Sequence, residues 1–124
     1  MTIKGAIDLV DKLKPNQYPF ELKAKWLSKL DGQIFREVFA THEGCAMGHF
    51  DGYDDAGPNK ELLVPYPYDE DIYNYFLQAM VDKENGETAK YNQTITMYNA
   101  AYSNFGNWYH RTHKPLSVGT RFLF

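Results

Sequence analysis

The residues best suited to chemistry in this chain are its few histidines and its one thiol. His42-x-x-Cys45-x-x-x-His49 is followed by Asp51, and His110-x-x-His113 lies near the other end. Imidazole and thiolate at such spacing suit a tetrahedral zinc ion, with the later pair as additional ligands. A structural zinc site normally carries paired C-x-x-C units, and none occurs here, so the spacing alone predicts no structural metal and no cofactor. Cys45 beside His42 or His49 also has the types of a nucleophile and its base. Asp51-Gly-Tyr-Asp54-Asp55-Ala-Gly57 is acidic and glycine-rich but departs from the calcium-loop ligand order, so it reads as an exposed turn. Asn92-Gln93-Thr94 fits the glycosylation sequon but falls inside a helical pattern. The nucleophile elbow, the P-loop, the dinucleotide fingerprint and the H-E-x-x-H motif are all missing from the sequence, which points away from an enzyme.

The elements that would position these residues follow from hydrophobic period. Ile3, Ala6, Ile7, Val10 and Leu13 define a first short helix capped by Thr2 and ended by Pro15. A second helix is expected over about Phe20–Ala40, with Trp26 on its apolar stripe, an interruption at Asp31-Gly32, and Lys23, Lys25 and Lys29 on an exposed basic face. From Thr41 to Tyr68 the period is lost among glycines and prolines, and Glu61-Leu62-Leu63-Val64 reads as a short strand of a small β-hairpin.

Asp69 is the expected cap of a third helix, with Tyr68 and Tyr73 as a hydrophobic staple and a core face at Ile72, Tyr73, Phe76, Leu77, Met80 and Val81. Asn85-Gly86 then marks either a tight turn into an antiparallel partner or a bend within one long helix. Glu87–Arg111 carries Tyr91, Ile95, Tyr98, Tyr102, Phe105 and Tyr109 at alternating steps of four and three, with Trp108 widening the stripe. Aromatic rings bury about 150–250 Å² each, so this helix is expected at the centre of the core. Lys114-Pro115 stops it, and residues 116–124 read as an extended tail ending in Phe122-Leu123-Phe124 that should add to a sheet edge, in this chain or a neighbour. The expected fold is therefore all-α: a single domain over residues 1–124, a bundle of about four helices with a loop insertion at 41–68.

Composition narrows the function classes. The 124 residues carry a formal net charge of −3, against a dedicated nucleic-acid binder. The single cysteine allows no intramolecular disulfide and fits a reducing compartment. No apolar run reaches the ~20 residues of a membrane span, and charges come too early for a signal peptide, so a cytosolic origin is expected. Tyrosine supplies ten residues, a type suited to surfaces that become buried on assembly.

One resemblance emerges from these patterns. Ile72-Tyr73-x-Tyr75-Phe76-Leu77-x-Ala79-Met80-x-Asp82, Asn85-Gly86-Glu87, Tyr91-Asn92 and Met97-Tyr98-Asn99-x-Ala101-Tyr102-x-x-Phe105-x-x-Trp108-Tyr109-x-Arg111-x-His113 resemble the small head–tail connector (adaptor) proteins of tailed bacteriophages and prophages, as does Trp26-Leu27-x-x-Leu30-Asp31-Gly32. The resemblance covers about residues 20–39 and 69–113. It implies a helical subunit that docks beneath the portal and forms a homo-oligomeric ring in the virion. Other head–tail or tail-completion proteins would be its neighbours, and duplex DNA would pass through without sequence-specific binding. The alternative is a small metal-binding or regulatory helical module using the loop of His42, Cys45 and His49.

Overall fold

The computed structural model describes residues 1–44, 48–53 and 57–115. Four helices follow one another: α1 (Ile3–Leu13), α2 (Phe20–Ile34), α3 (Asp69–Glu84) and α4 (Thr88–Thr112), with a π-helical turn at Phe35–Phe39 extending α2. The protein is an all-α bundle, and no strand occurs among the described residues.

α1 forms where its period predicts it, and the Thr2 hydroxyl accepts the Gly5 N–H at 3.0 Å, filling one of the donors left open at a helix start. α2 runs through Asp31-Gly32 without the expected interruption; its geometry changes only at Phe35, where the π turn begins. Asp31 continues the helix because its side chain points into the core and finds donors there. The expected basic face is also smaller than predicted. Lys25 and Lys29 are exposed, but Lys23 is buried, its ammonium 2.6 Å from Asp11 Oδ1 on α1.

No strand of the expected β-hairpin forms among the described residues. Residues 58–62 run instead beside the chain start: Lys60 O accepts from Ile3 N at 3.0 Å and Met1 O accepts from Leu62 N at 2.9 Å, leaving a single antiparallel bridge between Thr2 and Glu61. The segment is more than an insertion, since Tyr53, Leu62 and Val64 all join the buried core. Asp69 does not cap α3; Tyr68 holds that place, while Asp69 accepts from the Met1 amino group at 3.3 Å. The staple pair separates too: Tyr68 packs on Phe105 and Trp108, and Tyr73 reaches Asp31.

At Gly86 the chain turns back with φ +74°, a left-handed conformation that glycine adopts without steric cost, so α3 and α4 form an antiparallel pair rather than one bent helix. α3, not α4, is the hub. It packs against α1, α2 and α4, whereas no Cα atom of α4 comes within 8 Å of α1 or α2. α4 buries Tyr98, Phe105 and Tyr109 and leaves Tyr91, Tyr102 and Trp108 half-buried. Its apolar heptad is a one-sided seam against α3 and the π turn, and an amphipathic stripe of this width fits a peripheral helix as well as a central one. The expected tail, with Phe122, Leu123 and Phe124, lies outside the described residues.

Candidate functional site

The histidines are divided by the fold. His49 is largely exposed and stands 3.0 Å from Asp51, beside a cleft of about 440 Å³ lined by Ser28, Lys29, Gln33, Arg36 and Phe50. Gly52 shapes that cleft with φ +96°; a Cβ there would lie 2.6 Å from the Ser28 hydroxyl, which accepts the Tyr53 N–H at 3.0 Å. His42 instead turns inward after the π turn and is only 9% exposed. Cys45 lies outside the described residues. Among the described residues no three of His, Cys, Asp and Glu gather to hold one ion.

His42 meets the end of α4. Its Nδ1 lies 2.7 Å from the Val38 carbonyl and its Nε2 2.9 Å from His110 Nδ1, with the two rings nearly perpendicular at 87°. Tyr109 packs edge-on against His42 and stacks on His113 at a ring separation of 3.8 Å. A cleft of about 320 Å³ opens over the pair, walled by Glu37, Val38, Tyr102 and Asn107. The Tyr102 hydroxyl donates to Glu37 Oε1 at 2.5 Å, and burial followed by that hydrogen bond pushes the phenol well above the ordinary tyrosine range. The chain closes around this end where Glu43 N donates to Lys114 O at 2.7 Å and His42 pairs with Pro115. His42 and His110 are 68 residues apart, a proximity no local spacing reveals.

The most enclosed polar cluster is elsewhere. Asp31, fully buried, accepts from the hydroxyls of Tyr53 and Tyr73 (Tyr73 at 2.7 Å) and from Leu63 N at 3.0 Å. Burial raises its carboxyl above the usual carboxylate range, against the lowering effect of the three donors. Burial, reinforced by the neighbouring carboxylate, raises both phenols far above theirs. Asp82, also fully buried, accepts from Lys14 Nζ at 2.6 Å and Thr94 Oγ1 at 3.1 Å, tying α3 to the end of α1 and to α4. These groups are satisfied and closed to solvent, so they do structural work. Their signal in the sequence was position: Asp31 shares the stripe of Leu27, Leu30 and Ile34, where a carboxylate needs buried partners.

Of the remaining predicted residues, Trp26, Tyr98, Phe105 and Tyr109 are core, Tyr102 and Trp108 are half-buried against it, and Tyr91 is half-buried outside that cluster. Trp26 meets the edge of Tyr18 at 6.0 Å, Tyr98 packs between Phe76 and Tyr102, and Phe105 contacts Phe39, Tyr68, Trp108 and Tyr109. The outward side of α4 is of another kind. Between Tyr91 and Tyr109 the chain has no Asp, Glu, Lys or Arg, and the same holds from Ile72 to Val81 on α3. The solvent face of α4 is made of Asn92, Gln93, Thr96, Met97, Asn99, Ser103, Asn104 and Asn107, all exposed. No helix among the described residues is long and apolar enough to cross a membrane. No family model matches the chain, and no solved structure matches it.

Proposed function

We propose that this chain is a structural subunit of a phage head–tail connector, one that joins copies of itself into a ring on the portal and lets duplex DNA pass. The observation that carries the reading is the uncharged outer face of α4 in the α3–α4 hairpin. Protein surfaces in water ordinarily carry charge on about a quarter to a third of positions. Depletion of Lys, Glu and Asp is what distinguishes the middle of a protein–protein interface from the surface around it. A contact repeated between identical subunits gains from such a face, because like charges are then kept out of the joint.

Three further features support it. The resemblance to connector proteins runs along this same hairpin. The net charge of −3 suits a conduit that must not grip phosphates. The polar clusters at Asp31 and Asp82 are consumed in holding helices together, which leaves a rigid building block rather than a catalytic cleft. The subunit would reside in the virion after assembly in the host cytoplasm, with the portal and tail-completion proteins as neighbours.

The test is assembly. Asn99→Glu combined with Ser103→Glu should leave a folded subunit that no longer joins the portal or a ring, seen by electron microscopy of the mixed proteins. Deletion of residues 116–124 should do the same if the tail pairs with a neighbour. If the doubly charged variant still completes infectious particles, the face is not the joint. If the intact protein is absent from purified virions, the connector reading fails.

A further inference from the structure

The uncharged face of α4 has two edges, and they differ in sign. With 3.6 residues per turn, Ala101 and Asn104 stand on one side of the buried line of Tyr98 and Phe105, and Tyr102 stands on the other. On the first side Ala101 and Asn104 share a hollow of about 160 Å³ with Tyr68 and Asp71 from the start of α3. Asp71 and its neighbour Glu70 are exposed, and neither carboxylate has an ion-pair partner among the described residues. On the second side Tyr102 donates to Glu37, and Gln33 Nε2 reaches the same carboxylate at 3.3 Å. Gln33 in turn lines the cleft of about 440 Å³ on α2.

That cleft is basic. Lys29 and Arg36 both line it, about two turns apart along α2 and its π turn, and Lys25 lies one turn before them. All three are exposed, and none has an ion-pair partner among the described residues. Asp51 lines the cleft too, 3.0 Å from His49, so the lining sets two full cations against one carboxylate. The Arg36 guanidinium offers paired N–H donors that match the two oxygens of a carboxylate.

We propose that the Lys29–Arg36 cleft is the receiving half of the joint between copies, and that its occupant is the acidic start of α3, Glu70 and Asp71, of a second copy of this chain. Resting on the connector reading, this joint supplies the two faces that a ring of copies requires. Contact of either patch with itself sets like charges together, and only contact between the two different patches pairs them. Each copy then keeps one free acidic patch and one free cleft, so the contact repeats head to tail until the rotation closes. The uncharged side of α4 enters the joint beside the acidic patch. The charged pairs therefore lie at its rim, where they set register and choice of partner. In a chain of net charge −3, such local pairing also offsets the general repulsion between copies.

The experiment is a charge swap in the full chain, read by sedimentation velocity and electron microscopy. Lys29→Glu with Arg36→Glu makes both patches acidic, and Glu70→Lys with Asp71→Lys makes both basic. Each variant should keep the parent's helical circular dichroism, because all four side chains are exposed, and self-associate at least tenfold more weakly. An equimolar mixture of the two should associate as the parent does, since each then offers the patch the other lacks. Glu70 and Asp71 also sit in the favourable first turn of α3, so Glu70→Gln with Asp71→Asn serves as a milder variant that keeps the fold and still weakens self-association. Association of the parent should fall as salt is raised. Undiminished association of the folded variants, a mixture that stays apart, or a parent without salt-sensitive association at millimolar concentration would each overturn the assignment. Presence in virions is read separately. Variants that complement one another in a protein absent from virions leave this joint standing without the connector reading, and variants of a virion protein that assemble unchanged leave the connector reading without this joint.

Discussion

Charge is handled in opposite ways on the two sides of α3. Where α1 and α2 pack against it, ionisable groups go inside: Asp31, Asp82 and Lys23 are buried, each with a partner from another segment. Among the described residues no buried side-chain nitrogen or oxygen lacks a hydrogen bond. On the outward side of α4 nineteen consecutive residues, Tyr91 to Tyr109, hold no charge although solvent reaches half of them. Buried charges that are satisfied fix which segments meet, because any other arrangement strands them. An uncharged exposed face does nothing for the monomer and removes the repulsion that would oppose a neighbour. The inner side is built for uniqueness of fold, the outer side for contact.

The largest test of that contrast is Asp31→Ala. It leaves two buried phenols and the Leu63 N–H without an acceptor, and such a loss costs about 3–5 kcal/mol. Chemical denaturation should show that loss; a change under 1 kcal/mol would mean the inner polar cluster does not hold α2, α3 and the residues Tyr53 and Leu63 together. The pH dependence sharpens it. Asp31 has a raised folded pKa, so its contribution to stability is fully present below the unfolded value near 3.8 and declines as pH rises through the folded value. Relative to Asp31→Asn, which cannot ionise, the parent protein should therefore gain stability on acidification.

How far the sequence discloses this design depends on the range of the interactions. Helix α1 and the break at Asn85-Gly86 are local, since a cap, a glycine and a 3.6-residue period suffice, whereas the choice there between a turn and a bend is made by the packing of α3 on α4. The place of α4 at the periphery was not legible, because its aromatic stripe reports that one face is buried and not how many partners bury it. Lys23 and Asp31 were read by residue type as surface and as helix breaker, and tertiary partners reversed both. Their partners, Asp11, Tyr53, Tyr73 and Leu63, come from other elements, so only the fold pairs them. The candidate site is a mixed case: the spacing of His42, Cys45 and His49 suggested one loop with His110 and His113 as additional partners, and His42 does meet His110, but His49 faces a different cleft.

A second, smaller effect should appear in alkali. Burial first, then the charge of Asp31, raises the Tyr53 and Tyr73 phenols above their unfolded value of 10.0. A raised pKa means stability that is complete below pH 10 and lost above it, since the unfolded chain ionises first. Each buried phenol should therefore cost about 1.4 kcal/mol per pH unit beyond that point. Tyr98 and Tyr102, raised by burial and then by Glu37, act in the same direction from the α4 side. Tyrosinate absorbance should rise together with loss of helical circular dichroism. Ionisation of all tyrosines in a chain that stays folded would show the inner cluster to be open to solvent.

The smallest expected effect concerns the outer face alone. Asn99 is exposed at the middle of α4. Asparagine is a poorer helix former than lysine by a few tenths of a kcal/mol, and surface substitutions usually fall within about ±0.5 kcal/mol. Asn99→Lys should thus leave the monomer's melting temperature unchanged or slightly raised. That result would mean the isolated fold gains nothing from keeping this surface free of charge, so the composition answers to something outside the monomer. A destabilisation above about 1 kcal/mol, far outside that surface range, would show that the face is used within the subunit. The contrast between the two sides of α3 would then be one of packing and not of assembly.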